Sequence, residues 1–234
     1  MADIHDRTAK TLSLAVHEFR TPVSVVSGYL RMLQRHFGAS LTDQQRALVE
    51  QAEKSCGSIA SLLTELSDLA QLEGSRAPLG CAPIALAPLL ADLAKDVHEG
   101  KDRGITFAVR ACQADVIVLG DARRLATAFS TLAGAVLRER ADPASMLVAC
   151  RLLETAQGRF VRIAIAEAEL VDSVLDDEAH ETFDEYRGGL GFRLLLAAGV
   201  VGAHGGRISS PIAARGRLAI LVSLPVAPDA ESIG

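Results

Sequence analysis

Basic charge is in deficit in this chain. Its 24 Lys and Arg stand against 29 Asp and Glu, for a net charge of −5. No basic cluster builds the surface that nucleic acid needs, although Arg123, Arg124, Arg138 and Arg140 fall near one another. No nucleic-acid partner is expected. Long apolar runs are missing as well: the opening Met-Ala-Asp-Ile-His-Asp-Arg is polar, and no uncharged stretch has the length to span a bilayer. We therefore expect no signal peptide, no membrane association and a cytoplasmic location. Cysteine is scarce, and Cys56, Cys81, Cys112 and Cys150 lack the paired spacing of a metal site. A cytoplasmic setting keeps thiols reduced, so all four are expected to be free, small, buried or half-buried residues, with no bound metal. Disordered or low-complexity tracts are also lacking, and 49% hydrophobic content over 234 residues suffices for one large or two modest domains.

The first of these is helical. Leu12, Val16, Phe19, Val23, Val26, Leu30 and Leu33 are spaced 4, 3, 4, 3, 4, 3, the a/d stripe of a helix packed on other helices. His17 sits one step off that stripe, held on a rigid backbone yet able to face solvent or a partner. Thr21 lies one turn on, on the same side. Pro22 offers no N–H to the carbonyl of Glu18 and its ring crowds that carbonyl, so an irregular turn is expected just beyond the histidine. A second helix follows Gly38-Ala39-Ser40-Leu41, with Thr42 and Gln45 in a capping-box pattern, and its stripe reads Leu48, Ala52, Ser55, Ile59, Leu62, Leu66, Leu69. Two such helices predict an antiparallel hairpin whose apolar face is buried by dimerising into a four-helix bundle. Gly74 to Gly80 reads as a linker.

From Ala82 the pattern mixes strands and helices. Strands are expected at Ile84 to Leu86, Ile105 to Arg110, Val116 to Leu119, Met146 to Leu153, Phe160 to Ala166, Arg207 to Ser209 and Leu218 to Leu224. Helices are expected over Pro88 to His98, Ala122 to Arg138 and Gly191 to Ala203, with a loop in the acidic stretch between Ala166 and Gly191. The class is α+β, with helices on one face of a mixed sheet.

His17-Glu18-Phe19-Arg20-Thr21-Pro22 resembles the phospho-acceptor motif of two-component sensor histidine kinases. The order of elements after Ala82 is similar to the ATP-binding domain of the same family. Its landmarks here are Gly120-Asp121-Ala122-Arg123-Arg124-Leu125, Gly188-Gly189-Leu190-Gly191-Phe192 and His204-Gly205-Gly206-Arg207. The resemblance implies a dimerisation and phosphotransfer hairpin over 1–74, followed by an α+β sandwich over 81–228 with the histidine kinase ATPase fold. It further implies that His17 accepts the phosphoryl group, that Glu18 orients the ring and accepts its proton, and that Thr21 positions water for dephosphorylating a bound regulator. Arg20 is expected to contact the partner.

Two departures mark the nucleotide site. Where the resembled family carries the asparagine that holds magnesium, this chain reads Thr131-Leu132-Ala133-Gly134-Ala135-Val136, so Ala135 replaces the amide. Where the family carries its glycine-rich, adenine-binding aspartate motif, this chain reads Glu167-Ala168-Glu169-Leu170-Val171-Asp172, without glycine. Glu167 and Asp172 are the residues available to bond adenine. The acidic run from Glu167 to Glu185 is expected to repel a polyphosphate. Gly189 and Gly191 retain part of a phosphate-cradling loop, a weak signal that a tight turn into a helix explains as well. Gly205-Gly206 reads as a helix stop, and His204 as a surface residue.

These readings point to a histidine phosphotransferase with kinase-like architecture that takes its phosphoryl group from a response-regulator aspartate. No cofactor is expected to be held tightly: ATP is not expected to be used, and magnesium is expected on the partner's receiver domain. The alternatives are an active kinase with a divergent ATP site and a pseudokinase adaptor that docks partners without chemistry. With the acceptor histidine at position 17, the signal is expected to arrive from another protein.

Overall fold

The chain divides into two compact units, Met1–Arg76 and Ala77–Gly234. This computed structural model describes residues 2–74, 82–110, 112, 116–156, 158–177, 180–183, 192–211 and 219–228. The linker reading falls mainly on residues 75–80, and the loop holding Gly189 and Gly191 falls on 184–191. Both lie outside the described residues.

The first unit is a hairpin of α1 (Ala2–Phe37) and α2 (Asp43–Gly74). The capping box forms as expected: the Thr42 N–H donates to Gln45 Oε1 at 3.0 Å, and the Gln45 N–H donates to Thr42 Oγ1 at 3.2 Å. Two helices give each stripe only one neighbour, and the stripes divide accordingly. On α1, Val16 is buried at 3% exposure and Val23 and Leu30 are half-buried, whereas Phe19, at 59%, joins Val26 and Leu33 in facing outward. On α2 the buried row is Cys56, Leu63 and Ala70, one residue on from the expected Ser55, Leu62 and Leu69; Leu48, Ile59 and Leu62 are exposed. The irregular turn expected at Pro22 is not found, for α1 is α-helical without interruption from Ala2 to Phe37. Pro22 removes one amide, and the carbonyl it leaves without a helical partner belongs to exposed Glu18, within reach of water.

The second unit carries a two-stranded antiparallel sheet of β1 (Ala82–Ala85) and β3 (Ile117–Gly120), and a six-stranded sheet. The latter comprises β2 (Thr106–Val109), β4 (Ser145–Thr155), β5 (Gly158–Glu167), β6 (His180–Thr182), β7 (Arg207–Pro211) and β8 (Ile220–Pro225). Its order is β2-β4-β5-β8-β7-β6, with β2 parallel to β4 and every other pair antiparallel. The helices are α3 (Leu86–Asp96), α4 (Ala122–Arg138), α5 (Val171–Asp176) and α6 (Phe192–Ala203).

Register assigns the two faces of the sheet. Val148, Ile163, Ile165, Ile220 and Val222 share one face and are fully buried. The helical layer in which α4 packs against α3 and α6 covers that face. Opposite it, Ala149, Ala164, Ala166 and Leu221 are just as deeply buried, beneath Val171, Val174 and Leu175 of α5. The sheet is thus covered on both faces at its centre, which corrects the expectation of helices on one face and of a loop after β5. The i, i+3, i+4 spacing of Val171, Val174 and Leu175 is a short helix's apolar side.

Arginines on the α5 side of the sheet then hold the acids of that helix. The Arg110 guanidinium donates to Asp172 Oδ1 at 2.5 Å, and Arg151 donates to Asp176. Arg162 donates to the carbonyls of Leu175 and Asp177, both at 3.1 Å, satisfying the end of the helix. The hydrogen bond from Arg110 holds the Asp172 carboxyl below its usual range and raises Arg110 in turn.

Two cysteines depart from the expected reduced state. Cys112 and Cys150 are joined as a disulfide with their Cα atoms 5.4 Å apart, Cys150 lying on β4 and Cys112 beyond the last paired residues of the two strands, Val109 and Val148. Cys56 is buried and free.

Candidate functional site

On α1 the expected acceptor turn is open to solvent. The His17 and Glu18 side chains are 78% and 73% exposed, and Glu18 Oε1 lies 3.6 Å from His17 Nδ1. Neighbours in sequence seldom face each other on a helix, but these two lean together along its surface. Buried Val16 anchors the turn from below. Arg20 and Thr21 are exposed, and Thr21 shares the His17 face one turn on. The four polar residues singled out from sequence therefore occupy two consecutive turns of one rigid helix. An accessible imidazole beside a carboxylate is suited to nucleophilic chemistry on a large partner.

In the second unit, α4 begins where the sequence placed it. Asp121 caps it, Oδ1 accepting from the Arg124 N–H at 3.0 Å. Behind this cap stands His204, which corrects the surface reading: it is buried at 8% exposure. His204 Nε2 accepts from the Asp121 N–H at 3.0 Å, and Nδ1 lies 2.7 Å from the Val200 carbonyl, the arrangement of an Nδ1–H tautomer. A Cβ at Gly120 would fall 2.0 Å from His204 Cδ2, so the close approach of β3 to the ring requires glycine there. Gly205, with φ 71°, ends α6 as read from sequence.

Along the outer side of α4 runs a groove of about 320 Å³ lined by His98, Glu99, Thr131, Gly134, Arg138 and Arg193. Glu99 Oε1 stands between Arg138 and Arg103, at 3.6 and 3.8 Å. Ala135 is not on this wall. Its methyl lies in the core at 1% exposure.

Glu167 and Asp172, the two residues available for adenine, are not brought together. Register turns Glu167 toward the helical layer, where Arg140 just past α4 meets its Oε1 at 2.9 Å. Asp172 lies on the opposite side with Arg110. Val171, in the stretch where the resembled family carries glycines, has no exposed surface. Among the described residues no group of three or more His, Cys, Asp or Glu is placed to hold a metal ion. Among them, too, no helix is long and apolar enough to cross a membrane.

Set beside known proteins, the hairpin decides the kinship. Residues 9–75 match the His Kinase A (phospho-acceptor) domain. The His Kinase A hairpin and the unit after it are together similar to the signal transduction histidine-protein kinase BaeS of Escherichia coli (strain K12), 27% identical over 231 residues, covering 92% of this chain and 46% of that protein. They are also similar to the sensor protein DivL of Caulobacter vibrioides, 28% identical over 202 residues, covering 82% and 25%. The chain spans about half the length of these curated relatives or less. Among solved structures, full-length ShkA in complex with AMPPNP matches with a TM-score of 0.66 at 23% identity, over 94% of this chain and 46% of that one. The Acinetobacter baumannii histidine kinase AdeS matches with a TM-score of 0.56 at 16% identity, over 91% and 98%. Residues 9–75 thus carry a His Kinase A domain, the chain as a whole is similar to sensor histidine kinases, and its fold is their helical hairpin followed by an α/β sandwich.

Proposed function

We propose that this protein is a histidine phosphotransferase of two-component signalling, moving a phosphoryl group between response-regulator aspartates through His17. The observation that carries the reading is Ala135, a buried methyl where the magnesium-holding amide of a working kinase is required. The rest of that site agrees: Glu167 is engaged by Arg140, and the stretch that follows it carries no glycine. The residues present do not fit a magnesium nucleotide, so no step is routed through one.

The transfer uses the open turn of α1. With its Nδ1–H toward Glu18, the neutral His17 ring keeps the Nε2 lone pair for in-line attack on the phosphorus of an aspartyl phosphate. The N–P bond forms, the P–O bond to the aspartate breaks, and the carboxylate leaves with its electron pair on a receiver that carries its own magnesium. Glu18 takes up the Nδ1 proton. In the reverse step another aspartate attacks the phosphohistidine. Thr21 holds a water for hydrolysis of the regulator's phosphate, and Arg20 contacts the receiver. The outward row of Phe19, Val26 and Leu33 on α1, with Ile59 and Leu62 on α2, is the face a second copy covers to make a four-helix bundle.

The test offers the purified protein two donors, magnesium with γ-labelled ATP and a prephosphorylated receiver domain, with His17→Ala as control. Label on His17 from the receiver alone is the expected result. Label from ATP establishes an autokinase and refutes the reading, and label from neither donor establishes an adaptor.

A further inference from the structure

We propose that Cys112 and Cys150 are a reversible thiol–disulfide modification site that fixes the β2 edge of the second unit, and with it the docking of α5, according to redox state.

The geometry brings together two of the three described cysteines. Strand β2 is an edge strand held by only four paired residues, Thr106 to Val109 against Ser145 to Val148. Just past its end, Cys112 bonds back to Cys150 across the same strand pair, with Cα atoms 5.4 Å apart, inside the range a disulfide spans without moving the backbone. Each cysteine has a clamp residue close by in sequence: Arg110 of the β2 end reaches Asp172, and Arg151 reaches Asp176. The cross-link therefore ties together the two backbone segments whose arginines hold α5 on its alanine floor. With the bond open, the four-residue parallel pairing and one backbone bond, from the Arg110 N–H to the Val148 carbonyl at 2.8 Å, are left to hold Arg110 at this edge, and pairing so short frays readily.

The chemistry balances with a small disulfide as the oxidant. One protein thiolate attacks oxidised glutathione and expels glutathione thiolate. The second protein thiolate then attacks the mixed disulfide, giving the Cys112–Cys150 bond and a second glutathione thiolate. The two protein protons end on the two glutathiones. Excess dithiol reverses the sequence.

The test uses the full chain equilibrated with oxidised glutathione or with excess dithiothreitol, then alkylated and mapped by mass spectrometry. Expected after oxidation is a single cross-linked pair, Cys112 with Cys150, with Cys56 alkylated. Hydrogen exchange on the two forms, and on Cys112→Ser, then reads the consequence: amides of 106–110 and 171–176 exchange about tenfold faster in the reduced form and in the variant, while those of α4 change little. Alkylation of both cysteines after oxidant treatment overturns the site. Equal exchange in oxidised and reduced chain overturns the coupling to α5.

Discussion

Replacing Gly120 by alanine drives a methyl into the ring of His204. The added Cβ would stand 2.0 Å from Cδ2 and 2.3 Å from Nε2, and the ring cannot swing aside freely because it is buried and held at both nitrogens. Overpacking against such a neighbour costs about 1–3 kcal/mol. Displacing Nε2 from the Asp121 N–H leaves a largely buried donor without its partner, a further penalty of roughly 1–3 kcal/mol. We expect Gly120→Ala to destabilise the second unit by about 3 kcal/mol, a fall of roughly 10 °C in Tm for a unit of this size. His204→Ala removes both the obstacle and the acceptor, so in that background the added methyl should cost less than about 1 kcal/mol. The coupling energy of the double-mutant cycle should then be about 2 kcal/mol or more. Urea unfolding followed by far-UV circular dichroism, with hydrogen exchange on α4 to assign the transition, measures it. An equal cost for Gly120→Ala in the two backgrounds refutes the claim that glycine is there to admit the histidine.

Three other expectations follow from the described contacts. Thr42→Ala should destabilise the hairpin by about 1 kcal/mol through loss of the reciprocal cap on α2, read as a lower thermal midpoint of a 1–76 fragment. Phe19→Glu should shift the hairpin toward monomer in sedimentation, because the charge lands on the outward apolar row, whereas an unchanged association constant removes that row from the interface. The Asp172 carboxyl is depressed by Arg110, so the pair stabilises the fold above the ordinary carboxylate value of about 4 and loses that contribution as pH falls through the lower folded value. Arg110→Ala should accordingly be less stable than the parent at pH 7 by a small margin, the pair being half-exposed, and the margin should close in acid.

The sequence was most legible where local signals agreed. Helix α4 runs over Ala122–Arg138 as read, since an N-capping aspartate, a strong apolar face and a terminal arginine all mark the same segment. The hairpin was legible as two helices, but its buried row on α2 lay one residue away. A stripe that serves both a partner helix and an outward face has an average direction belonging to neither. Helix α5 was missed because acidic residues crowd around Val171, Val174 and Leu175. What fixes it in place are arginines just past β2 and on β4 and β5, a relation that spacing along the chain does not display. The place of His204 depends on a residue 83 positions away, and burying a histidine leaves no mark on periodicity. Of the acceptor turn, the motif was visible in full, while the 3.6 Å approach of Glu18 to His17 required coordinates.

The clamp on α5 also changes how the molecule looks from a distance. The acidic run from Glu167 onward includes Asp172 and Asp176, but each is matched by a guanidinium in direct contact, and together these form close-set dipoles. The field of a dipole decays faster than that of a lone charge, and ions in solution damp what remains within about 10 Å at ordinary salt. An approaching anion therefore meets a gentler potential at this corner than the acidic run of letters suggests. Diffusional encounter is shaped instead by unmatched charge elsewhere on the surface.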